Sequence, residues 1–179
     1  MELAPVAVPA LLLVAATAAT PAPVHAQQAA TDAMTGLRDQ WKVVAANITA
    51  AAEELTEAEY GYRPVPVVRS FGELIGHVAG TQNMICSAVL GEKQPAEDAV
   101  EKAVKTKAGL VAALKASNEY CAKAYAIGAA VMSDPVELFG EKNTKVGALA
   151  LNTVHDGEHY GNIVTYMRMQ GKVPPSSKR

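Results

Sequence analysis

Two histidines, His155 and His159, stand four residues apart in the stretch "LNTVHDGEHYGNIVTYMRMQGKVPPSS". On an α-helix that spacing places them about 40° apart around the axis, on one face. Their imidazoles can then converge on one ion at about 2.0–2.1 Å, the usual zinc–nitrogen distance. Two ligands rarely make a site, and the natural third is His77, 78 residues before His155. If the helices that carry them are neighbours, three imidazoles close a site with a position left open. Catalytic zinc takes that form, because water or substrate must enter the coordination sphere. The same residues, "HDGEH", also match H-x-x-E-H, the inverted zinc-protease motif. That motif needs a further acidic ligand well downstream, whereas only 20 residues follow His159. It would also put Gly157 inside a helix, at about 1 kcal/mol relative to Ala. The protease reading is set aside.

The elements that would carry these residues are helical. Met34, Leu37, Trp41, Val44, Ile48 and Leu55 recur at helical spacing and predict a first helix from about Thr31 to Thr56, with one apolar stripe. The stretch "EAEYGYRPVPVVRS" breaks that pattern at Gly61, Pro64 and Pro66 and reads as a long loop of the kind that often lines a site. Ser70 and Glu73 make an S-x-x-E capping box, so the second helix starts near Ser70 and ends at Leu90 before Gly91. Its stripe is Phe71, Leu74, Val78 and Ile85, with His77 at the flank. A third helix is expected from about Ala96 to Ile127, on Val100, Val104, Val111, Leu114, Cys121 and Tyr125. The segment "GAAVMSDPVELFGEKN" reads as a loop. The fourth helix should run from near Thr144 to Gln170, where Gly171 supplies a C-cap and Pro174 prevents continuation. There is neither an internal repeat nor an alternating strand pattern. The fold class expected is all-α, a four-helix bundle, an architecture that builds metal sites from inward side chains on facing helices.

The first residues have another character. "MELAPVAVPALLLVAATAATPAPVHAQQ" holds an apolar run from Leu11 to Thr20, then Pro21 and Pro23, then the small-x-small site Val24-His25-Ala26. Residues 1–26 are read as a secretory signal peptide and 27–179 as the bundle domain, with a periplasmic or secreted location. Pro9 and Pro21 leave too short a run to span a bilayer, so no stable membrane anchor is expected after processing. His25 would leave with the leader. Export implies an oxidising compartment, where Cys86 and Cys121 could form a disulfide. They could equally be buried free thiols, which their placement on two predicted helices favours. Half the residues are apolar, 19% are charged and the net charge is −2, so no basic field marks a nucleic-acid binder.

The segments "YRPVPVVRSFGELIGHVAGTQNMICSAVLGE" and "HDGEHYGNIVTYMRMQGKVPPSS" together resemble the DinB-like superfamily of four-helix-bundle metalloproteins. The likeness lies in the order of motifs: a His after "SFGELIG", then H-x-x-x-H, an aromatic, a Gly, and "YMRMQGKVPPSS". What the resemblance implies is a divalent metal ion, zinc, nickel or manganese, held by His77, His155 and His159. Such relatives include metal-dependent thiol transferases and a thiol-dependent isomerase, and homodimers are common among them. It implies no role in DNA repair. A small-molecule thiol or an electrophile is the expected partner, and the activity a thiol transfer or a hydrolysis. Thiol cofactors are scarce outside the cytosol, which leaves open a non-catalytic metal-binding or stress-related periplasmic role. Asn152, Glu158 and Asn162, one turn from the histidine pair, and Glu73, one turn before His77, are candidates to hydrogen-bond the rings. Arg63 and Arg69, in the loop that leads to His77, are candidates to meet an anionic substrate. Tyr160 and Tyr166 are read as packing residues.

Overall fold

The structure is a computed structural model that describes residues 24–178. Four long helices make the bundle: α1 (Val24–Glu54), α2 (Phe71–Leu90), α4 (Lys107–Tyr125) and α5 (Lys145–Met169). A short helix, α3 (Ala99–Ala103), precedes α4, and a two-stranded hairpin, β1 (Pro135–Leu138) and β2 (Glu141–Thr144), precedes α5. The expected signal peptide lies outside the described residues except for Val24–Ala26, which open α1. Among the described residues no helix is long and apolar enough to cross a membrane.

The principal helix contacts are α2 with α4 and α5, and α1 with the same pair. The first two helices therefore face each other across the bundle diagonal, and α2 lies beside α5. Most of α2 is buried around its whole circumference, as a central helix should be. Two apolar clusters fill the interior. One holds Ile48, Leu55, Phe71, Leu74, Leu114, Ile163 and Met167. The other holds Trp41, Ile85, Tyr125, Leu138 and Leu149. Each large apolar side chain fully buried there contributes about 1.5–3 kcal/mol. Buried polar residues separate the clusters along both helices: Thr81 and Gln82 on α2, Asn152 and Asp156 on α5.

Helix ends follow the local chemistry. The Ser70 hydroxyl accepts from the Glu73 amide, and the Glu73 carboxylate accepts from the Ser70 amide, closing the expected capping box. The hydroxyls of Thr106 and Thr144 cap α4 and α5 by accepting from the amides of Gly109 and Gly147. At the end of α5 the Lys172 amide donates to Met167 and that of Gly171 to Arg168, with Gly171 at φ 73°.

Three expectations are corrected. The single third helix is two helices, because Val104 is extended and Thr106 caps a fresh start. The segment read as a loop holds a hairpin, whose turn places Phe139 at φ 55° and Gly140 at φ 78°. Cys86 on α2 and Cys121 on α4 are not free thiols but a buried disulfide, because the packing of these two helices brings their Cα atoms to 5.3 Å.

One close approach bears on the site. A Cβ on Gly76 would stand 2.8 Å from the Glu101 Cα, and one on Gly80 would collide with the Glu97 carbonyl oxygen. Two side-chain-free positions on α2 thus let the chain around α3 lie directly on the helix. That contact carries the Glu101 side chain to His77.

A candidate three-histidine metal centre

His77 sits in the second turn of α2 with 6% of its surface exposed, and its ring faces α5. His155 and His159 project from one face of α5 towards it. The Nε2 of His155 lies 3.1 Å from that of His77 and 3.0 Å from that of His159. One ligand atom from each residue falls within 4.8 Å of the others. Two nitrogens each about 2.0–2.1 Å from a common ion, at angles between octahedral and tetrahedral, are about 2.9–3.4 Å apart. The two short separations fit that requirement.

Apart from the Nε2–Nε2 contacts themselves, which a ring N–H can bridge, the three rings make no hydrogen bond among the described residues. The Nδ1 atoms of all three rings are buried and lack a partner. Carboxylates approach two of them: Glu101 Oε2 is 3.7 Å from His77 Nδ1, and Asp156 Oδ1 is 3.6 Å from His155 Nδ1. A carboxylate beside Nδ1 favours the tautomer with its proton there, and so leaves the Nε2 lone pair free for a cation. Burial, followed by the Arg69 guanidinium, lowers the His77 pKa to about 4. Burial, followed by the two neighbouring imidazoles, lowers that of His159 to about 3. Both rings are therefore neutral at pH 7, the state a ligand needs. Asp156 is fully buried, and burial pushes its carboxyl above the usual carboxylate range while its neighbours His155, Trp41 and Gln82 oppose the rise. The Gln82 amide donates to its Oδ2 at 3.0 Å.

A cleft of about 550 Å³ opens onto the cluster, and His159 is part of its wall. Its polar lining includes Arg63, Arg69, Glu73, Glu101 and Asn162, and Pro66, Val67, Val68 and Leu74 give it an apolar side. The Tyr166 hydroxyl donates to the Arg69 carbonyl at 2.9 Å, which fastens α5 to the loop before α2. Tyr160 has a structural contact as well, its hydroxyl accepting from the Ser176 amide at 3.0 Å.

The structure thus brings together the three histidines singled out in the sequence, and puts Arg63, Arg69 and Asn162 along the cleft beside them. The other residues named as ring partners make no hydrogen bond to the rings. Asn152 is fully buried and donates to the Tyr125 hydroxyl at 3.2 Å. Glu158 is exposed. Glu73 is taken up by the capping box and by Arg63, at 2.8 Å. Glu101 and Asp156, which do approach the rings, escaped the sequence reading. Asp156 adjoins His155 in the chain and carried a visible signal, whereas nothing local marks Glu101.

Fold and site define a class: an all-α bundle with a convergent three-histidine cluster that could hold a divalent ion. Comparison with known proteins gives the family. Residues 40–163 match the model of the DinB superfamily, and the chain belongs to that family. Among solved structures, a DinB-like protein from Bacillus cereus superposes with a TM-score of 0.68 at 17% identity, over 79% of this chain and 95% of that one. A conserved protein from Enterococcus faecalis gives 0.64 at 19% identity, over 77% and 97% of the two chains. The mycothiol-dependent maleylpyruvate isomerase gives 0.57 at 17% identity, over 82% and 78%. At such identities the likeness speaks for the fold. No curated protein matches the sequence significantly.

Proposed function

We propose that this protein holds one divalent metal ion on His77, His155 and His159, with an open position towards the cleft, and that it is a metal-dependent transferase or hydrolase acting on a small molecule. The observation that carries the reading is the convergence of three Nε2 atoms, two pairs of them 3.1 and 3.0 Å apart, beside a cleft large enough for a small ligand. An ion so held would lower the pKa of a thiol or water bound to it and would supply a nucleophile at neutral pH.

The chain's own residues have separate tasks. The three imidazoles would donate lone pairs without adding charge, so the ion would keep its formal charge. Glu101 and Asp156 stand behind two of the rings, 3.7 and 3.6 Å from Nδ1, where they favour a proton on that nitrogen. The apolar side of the cleft, from Pro66 to Val68, shields a bound molecule from solvent. The likeness to a mycothiol-dependent isomerase favours a thiol as co-substrate or nucleophile. An exported location, periplasmic or secreted, draws support from the Cys86–Cys121 disulfide. An all-imidazole donor set accepts zinc, nickel and manganese alike, so availability would select the metal.

Metal analysis of untagged protein tests the reading. Close to one ion per chain is expected in the wild type, and almost none in His77→Ala or His159→Ala. Azide should perturb the visible spectrum of the cobalt-substituted protein. Metal retained by both variants would overturn the ligand assignment, and a cobalt spectrum indifferent to azide and to thiols would overturn the open position.

A further inference from the structure

We propose that the cleft takes ligands bearing a carboxylate, bound by the terminal nitrogens of Arg69, and that Arg63 shapes the cleft without contacting the ligand. This rests on the metal reading above and adds to it the chemical class of the ligand. The two arginines line the same cleft but are committed differently. Arg63 Nη1 donates to the carbonyls of Val68 at 2.9 Å and Pro66 at 3.4 Å, and its Nη2 donates to Glu73 at 2.8 Å. That guanidinium folds the loop between Tyr62 and Ser70 into the cleft wall, and each of its terminal nitrogens already has a protein acceptor.

Arg69 uses Nε alone. It donates to both carboxylate oxygens of Glu101, at 3.2 and 3.1 Å. Neither Nη1 nor Nη2 has a protein acceptor among the described residues, and the side chain is 39% exposed at the cleft. Glu101 therefore fixes one edge of the guanidinium and leaves the other edge free, the pair of donors that matches a carboxylate. Because Glu101 also backs His77, the carboxylate clamp and the histidine cluster share one support.

Charge balance points the same way. Arg63 pairs with Glu73 and Arg69 with Glu101, so the four charged residues of the cleft cancel. Neutral imidazoles leave a bound divalent ion with net positive charge, of which Asp156 behind His155 can offset one unit at most, and an anionic ligand supplies the balance. The apolar wall of Pro66, Val67, Val68 and Leu74 suits a short hydrocarbon segment beside the carboxylate. A small carboxylic acid that also carries a thiol or oxygen donor fits these features together.

The test uses the full chain loaded with cobalt and two thiols, 3-mercaptopropionate and the neutral 2-mercaptoethanol. Binding is followed by the thiol-to-cobalt charge-transfer absorption, and cobalt affinity by competition with a chromogenic chelator. The wild type should bind the anionic thiol at least about tenfold more tightly, the range of a charge-assisted hydrogen bond. Arg69→Gln should abolish the preference while cobalt affinity stays within a few fold. Arg69→Lys should keep part of it, and Arg63→Gln should keep the preference. Equal affinities in the wild type, a preference that survives Arg69→Gln, or one lost only in Arg63→Gln would overturn the proposal while leaving the metal reading intact. A failure to take up cobalt would overturn both.

Discussion

At the scale of single residues, the account turns on how imidazole lone pairs are aimed. Imidazole rings have no reason to bring Nε2 atoms to 3.0 and 3.1 Å unless a cation or a proton joins them. Glu101 and Asp156 stand behind two of the rings and should set their tautomers. Glu101→Gln, close in shape but without the charge, should lower metal affinity about 10- to 100-fold with the helix content of the protein unchanged. Chelator competition and circular dichroism read the two quantities. A second residue-scale expectation concerns acid stability. Glu59 accepts from the amide and the hydroxyl of Thr56 and pairs with Lys172 at 3.0 Å. These bonds, the Thr56 amide foremost, lower its pKa from the ordinary 4.5 to about 2. Between those values the unfolded chain binds more protons than the folded one, so the stability Glu59 supplies is complete above pH 4.5 and is lost as pH falls through 2. Urea midpoints of Glu59→Gln should therefore fall less steeply than those of the wild type across that acid range.

Among the elements, α2 decides where the site can form. It packs against α4 on one side and α5 on the other, and its two close-approach glycines admit the chain around α3. Gly76→Ala should destabilise by about 1–3 kcal/mol, because the new methyl meets backbone at Glu101 rather than a movable side chain. It should also weaken metal binding by displacing the support of His77. Gly157, between the two histidines of α5, is the control: a Cβ there meets nothing within 4 Å. Gly157→Ala should raise stability by about 0.5–1 kcal/mol through helix propensity and leave metal affinity unchanged. Equilibrium unfolding in urea distinguishes the two glycines, and equal effects would contradict the packing described for α2.

Across the whole molecule, long connections and one covalent bond hold the bundle in register. The disulfide joins α2 to α4 over a sequence separation of 35 residues. Its removal in Cys86→Ser/Cys121→Ser should cost roughly 2–4 kcal/mol, chiefly by freeing the unfolded chain. Unfolding curves of the variant set against those of the oxidised wild type test this. Much of the architecture was legible beforehand, because helical periodicity and end signals are local. The stripe through Trp41 and Ile48, the Ser70–Glu73 box and the glycines after α2 and α5 all do in the fold what their sequence neighbours suggested. The histidine trio was legible for the same reason, as two positions one turn apart and a third on another amphipathic helix. What stayed hidden depends on tertiary approach or on unusual local chemistry. Glu101 reaches His77 only because Gly76 and Gly80 remove the barrier between distant segments. The cysteines pair because two helices cross there, and a Phe–Gly turn disguised the hairpin.

The most direct test of the central claim is anomalous diffraction from crystals of the metal-loaded protein, recorded at the absorption edge of the bound metal. The account requires one strong peak per chain, about 2.0–2.1 Å from the Nε2 atoms of His77, His155 and His159 if the ion is zinc. A peak at any other place, or a His77 ring turned away from the α5 pair, would contradict it.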